Sequence, residues 1–159
     1  MSRSPSRGRP DERGIALAIA LFALVVIGAL VSGSFFAGRL EQQSGQNVLF
    51  AAQALEAAES GLADVLTSPV PPGIEALPAG GVALDLGRFT PAAGLTAARD
   101  VIRLTNTLFF IRSTGTRRDA GGGILATRTL GLLVRVEPAS GALPERFSAL
   151  IERAWVQLS

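Results

Sequence analysis

The chain has no cysteine, no histidine and no lysine, and all fifteen of its basic residues are arginine. Each absence closes a class of chemistry. Without cysteine there are no disulfides and no thiolate metal sites. Without histidine there is no Ser-His-Asp triad, no HExxH zinc helix and no Cys/His metal cluster. Without lysine the GK[ST] form of the phosphate loop cannot be built. The use of arginine alone, with the richness in alanine and glycine, reads as codon bias from a GC-rich genome. Two further absences are positional. No charged residue lies between Gly14 and Arg39, and no proline lies between Pro10 and Pro69.

The uncharged run 15–38 would span roughly 35 Å as a helix, enough to cross a bilayer core of about 30 Å. It is too long for the apolar part of a secretory signal, and Ser32-Gly33-Ser34 and Ala37-Gly38-Arg39 are poor cleavage sites, so a cleaved signal peptide is disfavoured. Some 120 residues are left outside it, enough for one small core. The charge balance is lopsided. Residues 1–14 hold Arg3, Arg7, Arg9 and Arg13 against Asp11 and Glu12, whereas 39–159 hold eleven arginines against eleven acids. The net excess thus sits before the run, and positive charge beside a span stays cytoplasmic. The expected placement is a single-pass protein with its N-terminus inside and residues 39–159 outside, across the inner membrane if the source is a bacterium. A nucleic-acid reading from pI alone loses its support.

Past Arg39, "LEQQSGQNVLFAAQALEAAESGLADVL" stays rich in helix formers. Leu40, Val48, Ala52, Leu55, Ala58, Leu62, Val65 and Leu66 recur near helical period. The pattern predicts one helix of about fifty residues, apolar in its first half and amphipathic in its second. Gly28, Gly33, Gly38 and Gly45 weaken it and permit bending or close approach of a neighbour. Ser68-Pro69 ends it.

The expected organisation is a basic leader (1–14), a transmembrane helix (15–38), an amphipathic continuation (39–67), a Pro/Gly linker (68–81) and a small antiparallel β-rich domain (82–159). Within the last, 82–89 reads as a short strand and 90–100 as a loop with one helical turn. "VIRLTNTLFFIRSTGTR" and "ILATRTLGLLVRVE" read as two strands around the turn "RDAGGG". On the second, Ile124, Ala126, Leu130, Leu132, Val134 and Val136 share a face that the amphipathic helix is placed to cover. "SALIERAWVQLS" reads as a strand or short helix, and its ending inside a pattern points to a fragment or a very compact variant. The fold class is therefore α+β.

Little chemistry is left to assign. Glu56 and Glu59, at i and i+3, are the tightest carboxylate pair, and acid–base work would need a water-excluded cleft around them. Gly121–Gly123 is turn chemistry. Arg112, Arg117, Arg118, Arg128 and Arg135 read as solvated strand faces, with contact to an anionic partner as the alternative. No enzyme activity, cofactor, metal or small-molecule substrate is expected.

"RGIALAIALFALVVIGAL" (13–30), "QNVLFAAQALEAAESGL" (46–62) with Ala57, Ala58, Glu59, Gly61 and Leu62 at its centre, and the strand pair "IRSTGTR…TRTLGLLVRV" together resemble type IV pilin-like proteins, specifically PilX-like minor pilins. The N-terminal match covers about residues 12–66. The resemblance implies a pilin-like fold. It also implies cleavage by prepilin peptidase between Gly14 and Ile15, N-methylation of the new terminus, and other pilins or minor pilins as partners beside inner-membrane lipid. The implied role is pilus assembly, priming or tip formation, with the C-terminal domain periplasmic, or extracellular in a filament. Major pilins of the family carry a glutamate five residues past the cut. Ile19 stands there, which fits a tip or initiation subunit, and equally a protein that has drifted from pilus function. The competing readings are a type II secretion tip pseudopilin, an unprocessed single-pass signal-anchored envelope protein, and an arginine-mediated DNA-binding module, the last not expected.

Overall fold

The computed structural model describes residues 10–142, 144–150 and 155–158. The leader residues 1–9, and 151–154 of the C-terminal stretch, lie outside the described residues. The chain divides into two compact units, Met1–Gly45 and Gln46–Ser159.

Helix α1 runs from Pro10 to Thr67. Proline suits the first position of a helix, where its missing N–H removes a donor that has no intrahelical acceptor. No proline follows until Pro69, and the helix stops where Ser68-Pro69 was expected to stop it. There the Ser68 N–H donates to the Asp64 carbonyl at 3.0 Å. In the first unit, every described side chain from Gly14 to Gly45 is exposed. The most apolar window of the helix has a mean hydropathy of 2.9 and no buried share, so α1 is long and apolar enough to cross a membrane.

The second unit joins the last turns of α1 to an antiparallel sheet: β1 (Leu84–Ala92), β2 (Leu95–Arg103), β3 (Leu108–Arg118), β4 (Ile124–Glu137), β5 (Arg146–Ala149) and β6 (Trp155–Leu158). The order is β1-β2-β3-β4-β5, with β6 pairing β4 beside β5. β5 lies against Val134–Glu137 and β6 against Thr129–Leu132. They run in the same direction along one edge of β4. The class is α+β as expected, with the sheet curled so that Pro69 bridges to Arg146 of β5.

One core holds this unit together. Ala58, Leu62 and Val65 of α1 meet Val101, Phe109, Ile111, Leu130, Leu132, Val134 and Phe147, with Ile74 among them. Phe109 and Phe147 pack edge to face at 6.1 Å between centroids, the geometry aromatic quadrupoles favour. The helix face is shifted from the expected one. Ala54, Ala57 and Gly61 are buried, whereas Ala52 faces out and Val48 is 67% exposed. The face of β4 is as expected from Leu130 to Val136, but Ile124 is exposed and lies off the core.

Two expectations are corrected. Residues 90–100 are not a loop with a helical turn but the hairpin of β1 and β2, turned at Ala93-Gly94 with Gly94 at φ 73°. The strand expected from Val101 to Arg117 is broken: β2 ends at Arg103, and the Thr105 hydroxyl oxygen accepts from the N–H groups of Thr107 and Leu108 at 3.3 and 3.1 Å. A threonine side chain bonding its own backbone in this way competes with the ladder and turns the chain. Residues 68–81, expected as a Pro/Gly linker, make contacts of their own. Ile74, at the start of the short 3₁₀ turn Ile74–Ala76, is buried, and the Gly80 N–H donates to the Arg103 carbonyl at 2.8 Å.

Candidate functional site

Two places carry the residues that the sequence singled out, one in each unit. In the first, Gly14 and Ile15 lie in α1, and the helix runs through the bond between them. Both are exposed, and nothing lies within 4 Å of the position a Cβ on Gly14 would take. Ile19 is 63% exposed on the same uncharged stretch. Each of these side chains is free to meet lipid or another chain.

In the second unit, Ala57, Ala58, Gly61 and Leu62 are buried while Glu59 is exposed. The reason lies in the sheet beneath. A Cβ on Gly61 would stand 2.6 Å from Ser113 Oγ and 2.7 Å from Ala97 Cβ. A Cβ on Gly115 of β3 would stand 2.0 Å from the Ala54 carbonyl oxygen and 2.5 Å from the Ala58 nitrogen. Small residues on both sides let the helix backbone come down onto the strands. The Ala-Ala-Glu-x-Gly-Leu stretch is thus a packing seam, and its one charged member points away from it. Glu56 is exposed like Glu59, so this carboxylate pair has no water-excluded cleft in which to act.

One turn beyond Gly61 lies a polar cluster that the sequence reading missed. The Arg99 guanidinium forms an ion pair with Asp64, donates to the Leu86 carbonyl at 3.1 Å and stacks 5.6 Å from the centre of the Phe89 ring. Its side chain is only 11% exposed. It ties α1 to β1 and β2 beside a cleft of about 420 Å³ walled by Val65, Pro71, Pro72, Leu84 and Leu86. Asp64 and Arg99 are 35 residues apart, so no local pattern announces the pair. Arg99 neutralises Asp64, and the cleft holds no nucleophile paired to a base.

The hairpin arginines do not gather. Arg112 donates to Asp100 through Nη2 at 2.6 Å and through Nε. That hydrogen bond, with the attraction of the carboxylate, raises its pKa above the ordinary guanidinium value. A raised cation pKa contributes stability that is fully present below the unfolded value and is lost only as pH rises through the folded one, so the working range is untouched. Arg117 donates to the Ala93 carbonyl, Arg118 to the Gly122 carbonyl and Arg128 to the Thr127 carbonyl. Arg135 approaches Glu137 at 3.9 Å. Arg112 and Arg135 lie on the outer sheet face, whereas Arg128, opposite Gly115, lies on the face that α1 covers further along. The turn after β3 is as expected: Asp119 Oδ1 accepts from the Gly123 N–H at 2.7 Å.

Among the described residues no group of three acidic side chains converges to hold a metal ion. No family model, no curated protein and no solved structure matches the chain.

Proposed function

We propose that the chain is a minor pilin-like subunit. On this reading α1 sits in the bacterial inner membrane with its N-terminus inside, prepilin peptidase cuts between Gly14 and Ile15, and the subunit joins other pilins in priming or tipping a type IV pilus. One observation carries the reading: a single helix that is bare and uncharged over 15–38 and seats Ala57, Ala58, Gly61 and Leu62 on an antiparallel sheet. Such a helix serves two solvents in turn, lipid before assembly and neighbouring helices after it. Ile19 places no carboxylate where a neighbour's amino terminus would seek one, which suits a position with no subunit above it, because a buried amine without its partner is costly. The methylation of Ile15 and the absence of catalysis belong to the same reading.

Mass spectrometry of the membrane-extracted protein tests it. The expected terminus is Ile15, methylated, in cells with active prepilin peptidase. An intact Met1 or Ser2 terminus in such cells overturns it.

A second reading, an unprocessed single-pass envelope anchor, draws on the continuity of α1 through Gly14 and Ile15, since a protease must open that turn to reach the bond. It expects Gly14→Ala to leave migration and localisation unchanged, whereas the first expects a longer, unprocessed chain.

A further inference from the structure

On the first unit the side of α1 from Leu30 to Gln42 is not a smooth apolar cylinder. Leu30, Ser34, Gly38 and Gln42 recur every fourth residue, and Val31, Phe35 and Arg39 form the neighbouring row. Residues four apart stack along a helix surface. The first row shrinks at Ser34 and Gly38, and a groove of about 540 Å³ opens between the rows. Its walls are Leu30, Val31 and Phe35. Its floor offers no free hydroxyl, because Ser34 Oγ donates to the Leu30 carbonyl at 3.0 Å. Phe35 is 73% exposed, so the groove is open along its length.

The groove ends at the first charge after the uncharged run. Arg39 has no acidic side chain within a turn on its own face: the residues three and four away are Phe35, Phe36, Gln42 and Gln43. Glu41 is displaced by two residues, about 200° around the helix. Arg39 makes no ion pair among the described residues. An apolar channel closed by an unneutralised guanidinium and an amide matches a molecule with an acyl chain and an anionic head. Guanidinium binds phosphate in a planar fork, and a charge at the end of a membrane span lies at headgroup height. A second helix laid in the same groove would have to bring its own acid to that height, which a phospholipid has already.

We infer that this groove holds one anionic phospholipid, its acyl chain over Ser34 and Gly38 and its phosphate on Arg39 and Gln42. The inference rests on α1 crossing a membrane and is independent of cleavage at Gly14.

The test uses the full chain in nanodiscs of equal phosphatidylglycerol and phosphatidylcholine, released into a native mass spectrometer. Phosphatidylglycerol should be retained over phosphatidylcholine. Arg39→Gln should lower that preference about fivefold, the scale of one basic residue at an anionic surface, and Arg39→Lys should keep most of it. Gly38→Leu, which fills the floor, should lower retention of both lipids without changing their ratio. An equal preference in the native chain and Arg39→Gln overturns the inference. So does recovery of lipid-free dimers that Gly38→Leu abolishes, which would assign the groove to a second helix. Alkaline extraction of cell membranes reads the premise separately: a chain that washes off refutes membrane crossing itself, whereas a retained chain without lipid preference refutes only the lipid site.

Discussion

At Gly115 the strand and the helix backbone leave no room for a single carbon. The atoms a Cβ would strike, the Ala54 carbonyl oxygen and the Ala58 nitrogen, are themselves backbone and cannot rotate away. Gly115→Ala should therefore cost about 3 kcal/mol by thermal unfolding in mild detergent. Gly45→Ala, where nothing lies within 4 Å, should raise helix stability by up to about 1 kcal/mol. Equal losses at the two sites would refute the seam. Ser113 stands at the same junction, fully buried, and its hydroxyl has no hydrogen-bond partner among the described residues. Ser113→Ala removes a buried polar group and should stabilise by about 1 kcal/mol; a loss of that size would mean the hydroxyl has a partner.

Two arginines join elements that local sequence leaves separate. Arg99 holds α1 to β1 and β2. Asp64→Asn leaves a mostly buried guanidinium without its counter-charge and should cost about 3 kcal/mol. Asp64→Leu with Arg99→Met should recover most of that loss, because burying two apolar chains leaves no charge unpaired. Arg103 does the same for the 68–81 segment, donating to the carbonyls of Glu75, Leu77 and Thr105. Arg103→Met should cost about 2 kcal/mol and should speed amide exchange at Leu77 and Gly80 before the β3–β4 ladder is affected. Uniform acceleration across the sheet would show instead that the segment and the sheet open as one.

For the whole molecule, the division of labour runs along the chain. Among its described residues the first unit has no core of its own, and its exposed side chains are uncharged from Ile15 to Gly38; the second has a closed core and a mixed-charge surface. Leu24→Arg with Ile27→Arg places two charges in the middle of the run, each costing about 3 kcal/mol at the centre of a span. The double variant should leave the membrane on alkaline extraction. A variant still fully retained would argue that 15–38 does not span the bilayer.

The sequence by itself determined the long helix, its stop, its uncharged stretch, the β3–β4 hairpin and the buried side of β4 from Leu130 to Val136; the helix begins at Pro10, inside the stretch expected as a leader. These depend on hydropathy, period and proline, which act over a few neighbouring residues. Only the tertiary structure decided the rest. The β1–β2 hairpin was hidden because "TPAAGLTAARD" looks like a loop until β3 pairs with it. The true face of the helix was set by Gly115 and Ala97, which admit Ala54, Ala58 and Gly61, while Val48 stays bare. The ties of Arg99 to Asp64, and of Arg103 to the 68–81 segment, join residues more than twenty positions apart. Partners so distant are chosen by the packing of the sheet, and no spacing along the chain encodes them.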